Sequence, residues 1–318
     1  HFVARRVARL LSCSEPERLS RPPYDVAVRA VALDADGLPE LVDLPEPEGS
    51  GLLVHVRACG LCGSDVEKLG RFPERTVLGH ELAGELESGE RVTVVSHVPC
   101  GTCERCRAGH QSTCGEFRAN RVRPGGFAER VRATHCVPVP AELGELATVY
   151  VEPLACVLRA AERVPRGRVL VVGCGSMGLL FVQALLARGD EVAAVEPRPD
   201  RLEAALALGA AADEDPVDAA VLCAHGGVNE ALARLAPGGT LLVFAAPFEP
   251  VATDLAAIYR KELAVVGSRS PTPAYFKDAV RLLPSLALPE ATWLPLERFA
   301  EGLELYRSGA ALKVVFTP

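Results

Sequence analysis

The hexapeptide Gly173-Cys174-Gly175-Ser176-Met177-Gly178 directly follows the apolar run Val169 to Val172 and opens a stretch, Ser176 to Arg188, with helical periodicity. A strand that turns on glycine straight into a helix leaves the chain few options. Gly173 permits the tight turn, Gly175 lets the backbone approach a pyrophosphate, and Gly178 lets the helix pack close to the strand. The helix N-terminus, entered through Ser176 and Met177, then faces the anion. Glu191 to Glu196 reads as a second strand and Arg201 to Leu208 as a second helix, which completes a βαβ unit. The alternation continues through DAAVLCA, the helix NEALARLA, a turn at Pro237-Gly238-Gly239, the strand TLLVFAA and the run LAVVG. Together these predict a parallel α/β sheet wound with helices on both sides and spanning residues 157–269.

Glu196 closes the second strand of that unit. An acid there can accept hydrogen bonds from both hydroxyls of an adenosine ribose and repels a 2′-phosphate, which favours NAD. Arg198 and Arg201 lie just beyond and could accommodate that phosphate, so NADP stays open, as does a plain solvated carboxylate at Glu196.

Before Tyr150 the pattern changes to short β-like runs broken by Gly and Pro: VAVRAVAL, PELVDLPEPEGSG, LLVHVRACG, ELAGELESGERVTVVS and GGFAERVRATHCVPVP. Inserted among them are Cys100, Cys103, Cys106 and Cys114, spaced C-x2-C-x2-C-x7-C in a segment too polar and glycine-rich to bury four thiols as core. Four thiolates so spaced can close tetrahedrally around zinc and leave no ligand position open, which makes the site structural; free or disulfide-paired cysteines are the alternative. Separately, Cys62, Asp65, His80 and Glu81 supply a soft thiolate, an imidazole and carboxylates. Such a mixture suits catalytic zinc, although a lone Cys or His is more often core than ligand.

With 318 residues, 49% of them hydrophobic, the chain can build two domains with separate cores. A net charge of -7 and the lack of a basic tract argue against a nucleic-acid partner. No apolar run reaches the roughly 18 residues that span a bilayer. Eleven cysteines, an odd number with four in one cluster, point to metal and free thiols in a reducing compartment, and hence to the cytoplasm. Residues 1–25 carry Arg5, Arg6 and Arg9 among apolar residues, and the only methionine is Met177. They read as an N-terminal extension rather than a targeting helix.

Taken in order, CGLCGSD (59–65), GHE (79–81), PCGTCERCRAGHQSTC (99–114), GGFAE (125–129), VEPLAC (151–156) and GCGSMG (173–178) resemble the zinc-containing medium-chain dehydrogenase/reductase superfamily, in its sorbitol, threonine and glucose dehydrogenase-like branch. The resemblance covers nearly all of the chain after about Val28. It implies a GroES-like, β-rich catalytic domain made of residues 26–156 and 270–318, joined to a Rossmann domain. It also implies that Cys62, His80 and Glu152 lie near a catalytic zinc, with Glu81 coordinating directly or through water. Asp65 would accept a hydrogen bond from the His80 nitrogen that does not bind metal. A plain helix N-terminal acid is the alternative for Glu152. Ser64 occupies the place of the hydroxyl that meets the substrate oxygen and passes its proton outward. Many relatives carry a His three residues later; this chain has Glu67, as glucose dehydrogenases have an acid, which favours a polyhydroxylated substrate. The segment between GHE and ERVTVV is shorter than usual, which alters the substrate cleft. Dimers and tetramers are common in the family.

The expected activity is zinc-dependent hydride transfer between a secondary alcohol or polyol and NAD. Alternatives are an NADP-linked aldehyde or ketone reductase, a zinc-ribbon binding module without catalysis, and a catalytically silent nucleotide-binding relative.

Overall fold

Asp34 and Gly37 shape the turn between β1 (Ala27–Leu33) and β2 (Pro39–Pro45). The Asp34 carboxylate accepts from the amides of Asp36 at 2.9 Å and Leu38 at 2.8 Å, and Gly37 takes φ 74°, the left-handed region glycine enters without steric cost. The computed structural model describes residues 27–117, 122–245 and 249–318. The expected extension at 1–25 lies outside the described residues.

An antiparallel system comes next: β3 (Leu52–Gly60), β4 (Glu81–Leu86), β5 (Arg91–Val94), β6 (Val122–Arg123), β7 (Arg130–Ala133) and β8 (Cys136–Pro138). Its core includes Val54, Val92, Val94, Phe127 and Val131, all buried. In the β3–β4 pairing the register shifts between Val56 and Ala58. Such a bulge bends a strand and re-aims its remaining side chains. Past the bulge, Cys59 pairs with Leu82 and Gly60 with Glu81.

β9 (Arg168–Val172), β10 (Glu191–Val195), β11 (Val217–Leu222), β12 (Leu235–Val243) and β13 (Ala264–Gly267) make a parallel five-stranded sheet in the order β10-β9-β11-β12-β13. A strand that alternates its side chains between two buried faces must be apolar throughout. Accordingly Val169 and Val171 enter one core, with the helices Val151–Ala161 and Ser176–Arg188. Leu170 and Val172 enter another, with Ala231 and Leu232 of the helix Val228–Arg234. Helices on both faces make the sheet doubly wound, as expected.

Two details differ from the sequence reading. Pro237-Gly238-Gly239 falls inside β12 rather than between elements, because Leu235 already pairs with Val217 and the chain then bulges, with Gly238 at φ 78°, before Thr240 pairs with Ala219. Near the C-terminus, where the sequence predicts two helices and the single strand LKVVFT, a further strand β14 (Thr292–Pro295) precedes β15 (Val314–Thr317), and both join the antiparallel system. β14 has no clear alternation of its own and is recruited by parallel pairing with β15. No helix among the described residues is long and apolar enough to cross a membrane.

Candidate active site and metal centres

Three strands set the site by register. Gly60 of β3 pairs with Glu81 of β4 on one side and with Val315 of β15 on the other. Cys62, two residues past Gly60, is thereby brought beside His80 and Glu81. Lys313, two residues before Val315, enters from the opposite edge. A side chain at Gly60 would collide with the Glu81 carboxylate and would sit 2.8 Å from Lys313 Cε, so only glycine fits between them.

Ligand atoms of Cys62, His80 and Glu81 lie within 4.8 Å of one another. Asp65, buried in the short helix Gly63–Val66, places Oδ1 3.2 Å from His80 Nδ1. A carboxylate can only accept, so Nδ1 carries the proton and Nε2 presents its lone pair. Burial opposes ionisation of Asp65, but the charge and hydrogen bond of His80, with Lys68 behind them, hold it at about 2. Burial likewise opposes a charge on His80, yet Asp65 and Cys62 raise its pKa well above the ordinary value. Surroundings that favour a proton there favour any cation, which is the electrostatic condition for a metal. Ser64 Oγ lies 3.5 Å from Cys62 Sγ, so its hydroxyl borders the thiolate.

Glu152 is buried at the start of the helix Val151–Ala161, outside the group of three, and its carboxylate accepts from the Cys156 thiol at 3.5 Å. Burial raises its pKa, while the charge of His80 acts in the opposite direction. Glu67 comes directly after the Gly63–Val66 helix and faces His225.

Cys100, Cys103, Cys106 and Cys114 meet in the loop between Val98 and Phe117. Cys100 Sγ lies 3.6 Å from Cys114 and 3.9 Å from Cys106, and Cys103 lies 3.8 Å from Cys114. Tetrahedral thiolates at 2.3 Å from zinc would stand about 3.8 Å apart, so the set fits that ion. All four are free of disulfides. The amide and hydroxyl of Thr102 and the amide of Cys103 bring the Cys100 thiol down to about 6, towards the ionised form a metal requires.

At the glycine turn Gly173 takes φ 92°, and a side chain on Gly178 would strike the Gly173 carbonyl oxygen. Gly175 has open space where a Cβ would stand. Ser176 starts the helix, and Met177 packs against the core beneath it. Glu196 Oε2 accepts from the Cys174 amide at 2.7 Å, and Oε1 accepts from the Arg198 amide at 3.1 Å. The Arg198 and Arg201 guanidiniums both donate to the Gly309 carbonyl, at 2.7 and 3.1 Å.

Three residues of this neighbourhood carry little or no signal in the sequence. Lys313 donates to Glu81, and both side chains are almost wholly buried. His97 stacks on Phe117 at 5.2 Å and meets the His80 ring edge-on at 6.4 Å. His225 contacts Glu67. Only His97 carried a local signal, since it stands three residues before Cys100.

A parallel nucleotide-type sheet beside a thiolate, imidazole and carboxylate cluster is the architecture of a metal-assisted, nucleotide-dependent oxidoreductase. Comparison with known proteins agrees. Residues 48–141 match the alcohol dehydrogenase GroES-like domain family. An L-threonine 3-dehydrogenase of Bacillus licheniformis is 31% identical, over 88% of this chain and 94% of its own length. A D-altritol 5-dehydrogenase of Agrobacterium fabrum is 33% identical, over 76% of this chain and 84% of its own. A structure from Sinorhizobium meliloti, described as a zinc-binding dehydrogenase and bound to NADP, superposes with a TM-score of 0.82 at 26% identity, covering 92% of this chain and all of the other. The chain belongs to the zinc-containing medium-chain dehydrogenase/reductase superfamily. It is an enzyme, a zinc-dependent dehydrogenase that uses a nicotinamide coenzyme.

Proposed function

We propose that the enzyme moves a hydride between a secondary alcohol or polyol and NAD, with residues 26–156 and 270–318 forming the catalytic domain and 157–269 holding the coenzyme. The observation that carries this reading is the meeting of Cys62, His80 and Glu81 within 4.8 Å, bordered by the Ser64 hydroxyl. Cys62, His80 and a carboxylate, Glu152 or Glu81, would hold the catalytic zinc, and Cys100, Cys103, Cys106 and Cys114 a structural one. Bound zinc supplies Lewis-acid polarisation of a hydroxyl or carbonyl oxygen. Asp65 fixes the tautomer of His80. Ser64 takes the hydroxyl proton of the substrate, and Glu67 receives it. An acid at Glu67 and the similarity to a D-altritol dehydrogenase support a polyol.

Glu196, with its carboxylate already turned to the glycine turn, supports NAD. The second reading, an NADP-linked aldehyde or ketone reductase, draws on Arg201, whose Nε is buried with no hydrogen-bond partner among the described residues. Turnover of a panel of alcohols, polyols and carbonyls with each coenzyme decides between them. Preference for NADP and for carbonyl reduction would overturn the first. The free state of the described cysteines supports the cytoplasm as its compartment. An exposed edge strand, β13, supports assembly into a dimer or tetramer.

A further inference from the structure

Glu67 and His225 stand on loops of different sheets, yet His225 Nε2 lies 3.3 Å from Glu67 Oε1. His225 occupies the turn after β11, at the carboxyl edge of the parallel sheet, where α/β folds take their ligands. That turn is fixed against the glycine turn. The Cys223 amide donates to the Val172 carbonyl at 2.8 Å, and a side chain on Gly173 would meet Ala224 Cβ at 2.8 Å. The backbone that would seat the coenzyme therefore also seats His225. From the other side, the Glu67 amide donates to the Gly63 carbonyl at 3.0 Å, which ties Glu67 to the turn that carries Cys62 and Ser64. Its neighbour Lys68 pairs with Asp65 at 3.4 Å, and Arg71 reaches Glu249, on the loop after β12, at 3.7 Å, so the segment after Cys62 also meets a second loop at the same edge of the parallel sheet. The Glu67 side chain is 26% exposed and that of His225 is 60% exposed. A carboxylate turned inward and an imidazole turned outward form a step from the site to water.

We propose that His225, supplied by the nucleotide-binding sheet, carries the substrate proton from Glu67 to solvent. The idea rests on the reading of Glu67 as proton acceptor. In alcohol oxidation the hydride leaves carbon with both bonding electrons for the nicotinamide ring, and the hydroxyl proton must leave separately. That proton passes to the Glu67 carboxylate and then to Nε2 of His225, while Nδ1 gives one proton to water. Alcohol and oxidised coenzyme are thus balanced by carbonyl compound, reduced coenzyme and one proton in solution. His225 acts on the substrate proton through Glu67, its side-chain contact, and in this scheme is a positioning residue rather than a catalytic one. Imidazole is suited to this, because it takes a proton on one ring nitrogen and releases one from the other.

The test uses the zinc-loaded enzyme with His225→Asn and, in parallel, Glu67→Gln. Single-turnover alcohol oxidation, coenzyme affinity and proton release to an indicator dye are measured for each. His225→Asn should slow turnover and proton release together by about tenfold, less than the ~10²–10⁴ of a group at the reacting atoms. Coenzyme affinity should stay within about twofold, and added imidazole should restore most of the rate. Since His225 is largely exposed, folding should be unaffected. Wild-type rates in His225→Asn alongside a slow Glu67→Gln would overturn this inference and leave the Glu67 reading standing. Wild-type rates in Glu67→Gln would remove both. A slow His225→Asn that imidazole does not rescue, with coenzyme affinity lost in proportion, would make His225 a wall of the coenzyme groove and also overturn the proposal.

Discussion

Lys313 donates to the Glu81 carboxylate where both side chains are at most 3% exposed, and its ammonium lies 5.4 Å from the centre of the Tyr150 ring. An acid counted among candidate zinc ligands is thus already neutralised by a cation of the chain. Breaking such a pair from one side leaves a buried charge uncompensated, which typically costs about 3–5 kcal/mol. Lys313→Met should therefore lower stability by roughly that amount in urea unfolding. Adding Glu81→Gln should recover most of it. A fully stable single variant would mean that Glu81 finds another counter-charge, the metal included.

Removal of one structural thiolate should cost metal and stability together. Elemental analysis of the wild type should find two zinc ions per chain, and Cys103→Ser should retain one and unfold at lower temperature, because metal affinity is folding free energy at such sites. Retention of both ions with unchanged stability would discredit the four-thiol site.

How much of each feature is legible in the sequence depends on how local its signal is. The glycine turn and the four-cysteine loop are short segments whose geometry is fixed by spacing, and the structure holds each together. Cys62, His80 and Glu81 could be placed together only through family resemblance, since the β3–β4 pairing that unites them is not written in either segment. The place of Lys313 is not legible in the sequence for the same reason, since it depends on β15 pairing with β3. The contact between Glu67 and His225 depends on how loops of two sheets meet, which no periodicity encodes. β14 leaves no mark in the sequence because a four-residue strand recruited by a neighbour needs no alternation of its own.

Coenzyme choice should rest on Glu196. Its carboxylate accepts from the Cys174 amide, so replacement removes both the ribose acceptor and a support of the glycine turn. Hydrogen bonds to a charged group are worth about 1.5–3 kcal/mol, so Glu196→Ser should weaken NAD at least about tenfold while admitting NADP. Calorimetric titration with each coenzyme reads the ratio. An unchanged ratio would remove the assignment.

The last expectation concerns acid stability and His97. Burial lowers the His97 imidazole to about 3, and the charges of His80, Lys68 and Arg269 push the same way, with Asp65 opposing. A metal cation held at His80 would act in the same direction. The unfolded chain titrates this group near 6.5, so between about 6.5 and about 3 it binds a proton that the folded protein refuses. The contribution is therefore fully present above about pH 6.5 and declines as pH falls, by at most about 1.4 kcal/mol per pH unit, until the folded pKa is reached. His97→Gln removes the titrating ring while keeping a side chain able to hydrogen-bond Ser96, which lies 3.1 Å from Nδ1. Urea unfolding at about pH 7 and about pH 5 should then show a smaller acid loss for the variant than for the wild type, even if the variant is less stable at neutral pH. Equal losses for the two proteins would mean that the ring is protonated in the fold and that its stack on Phe117 tolerates the charge.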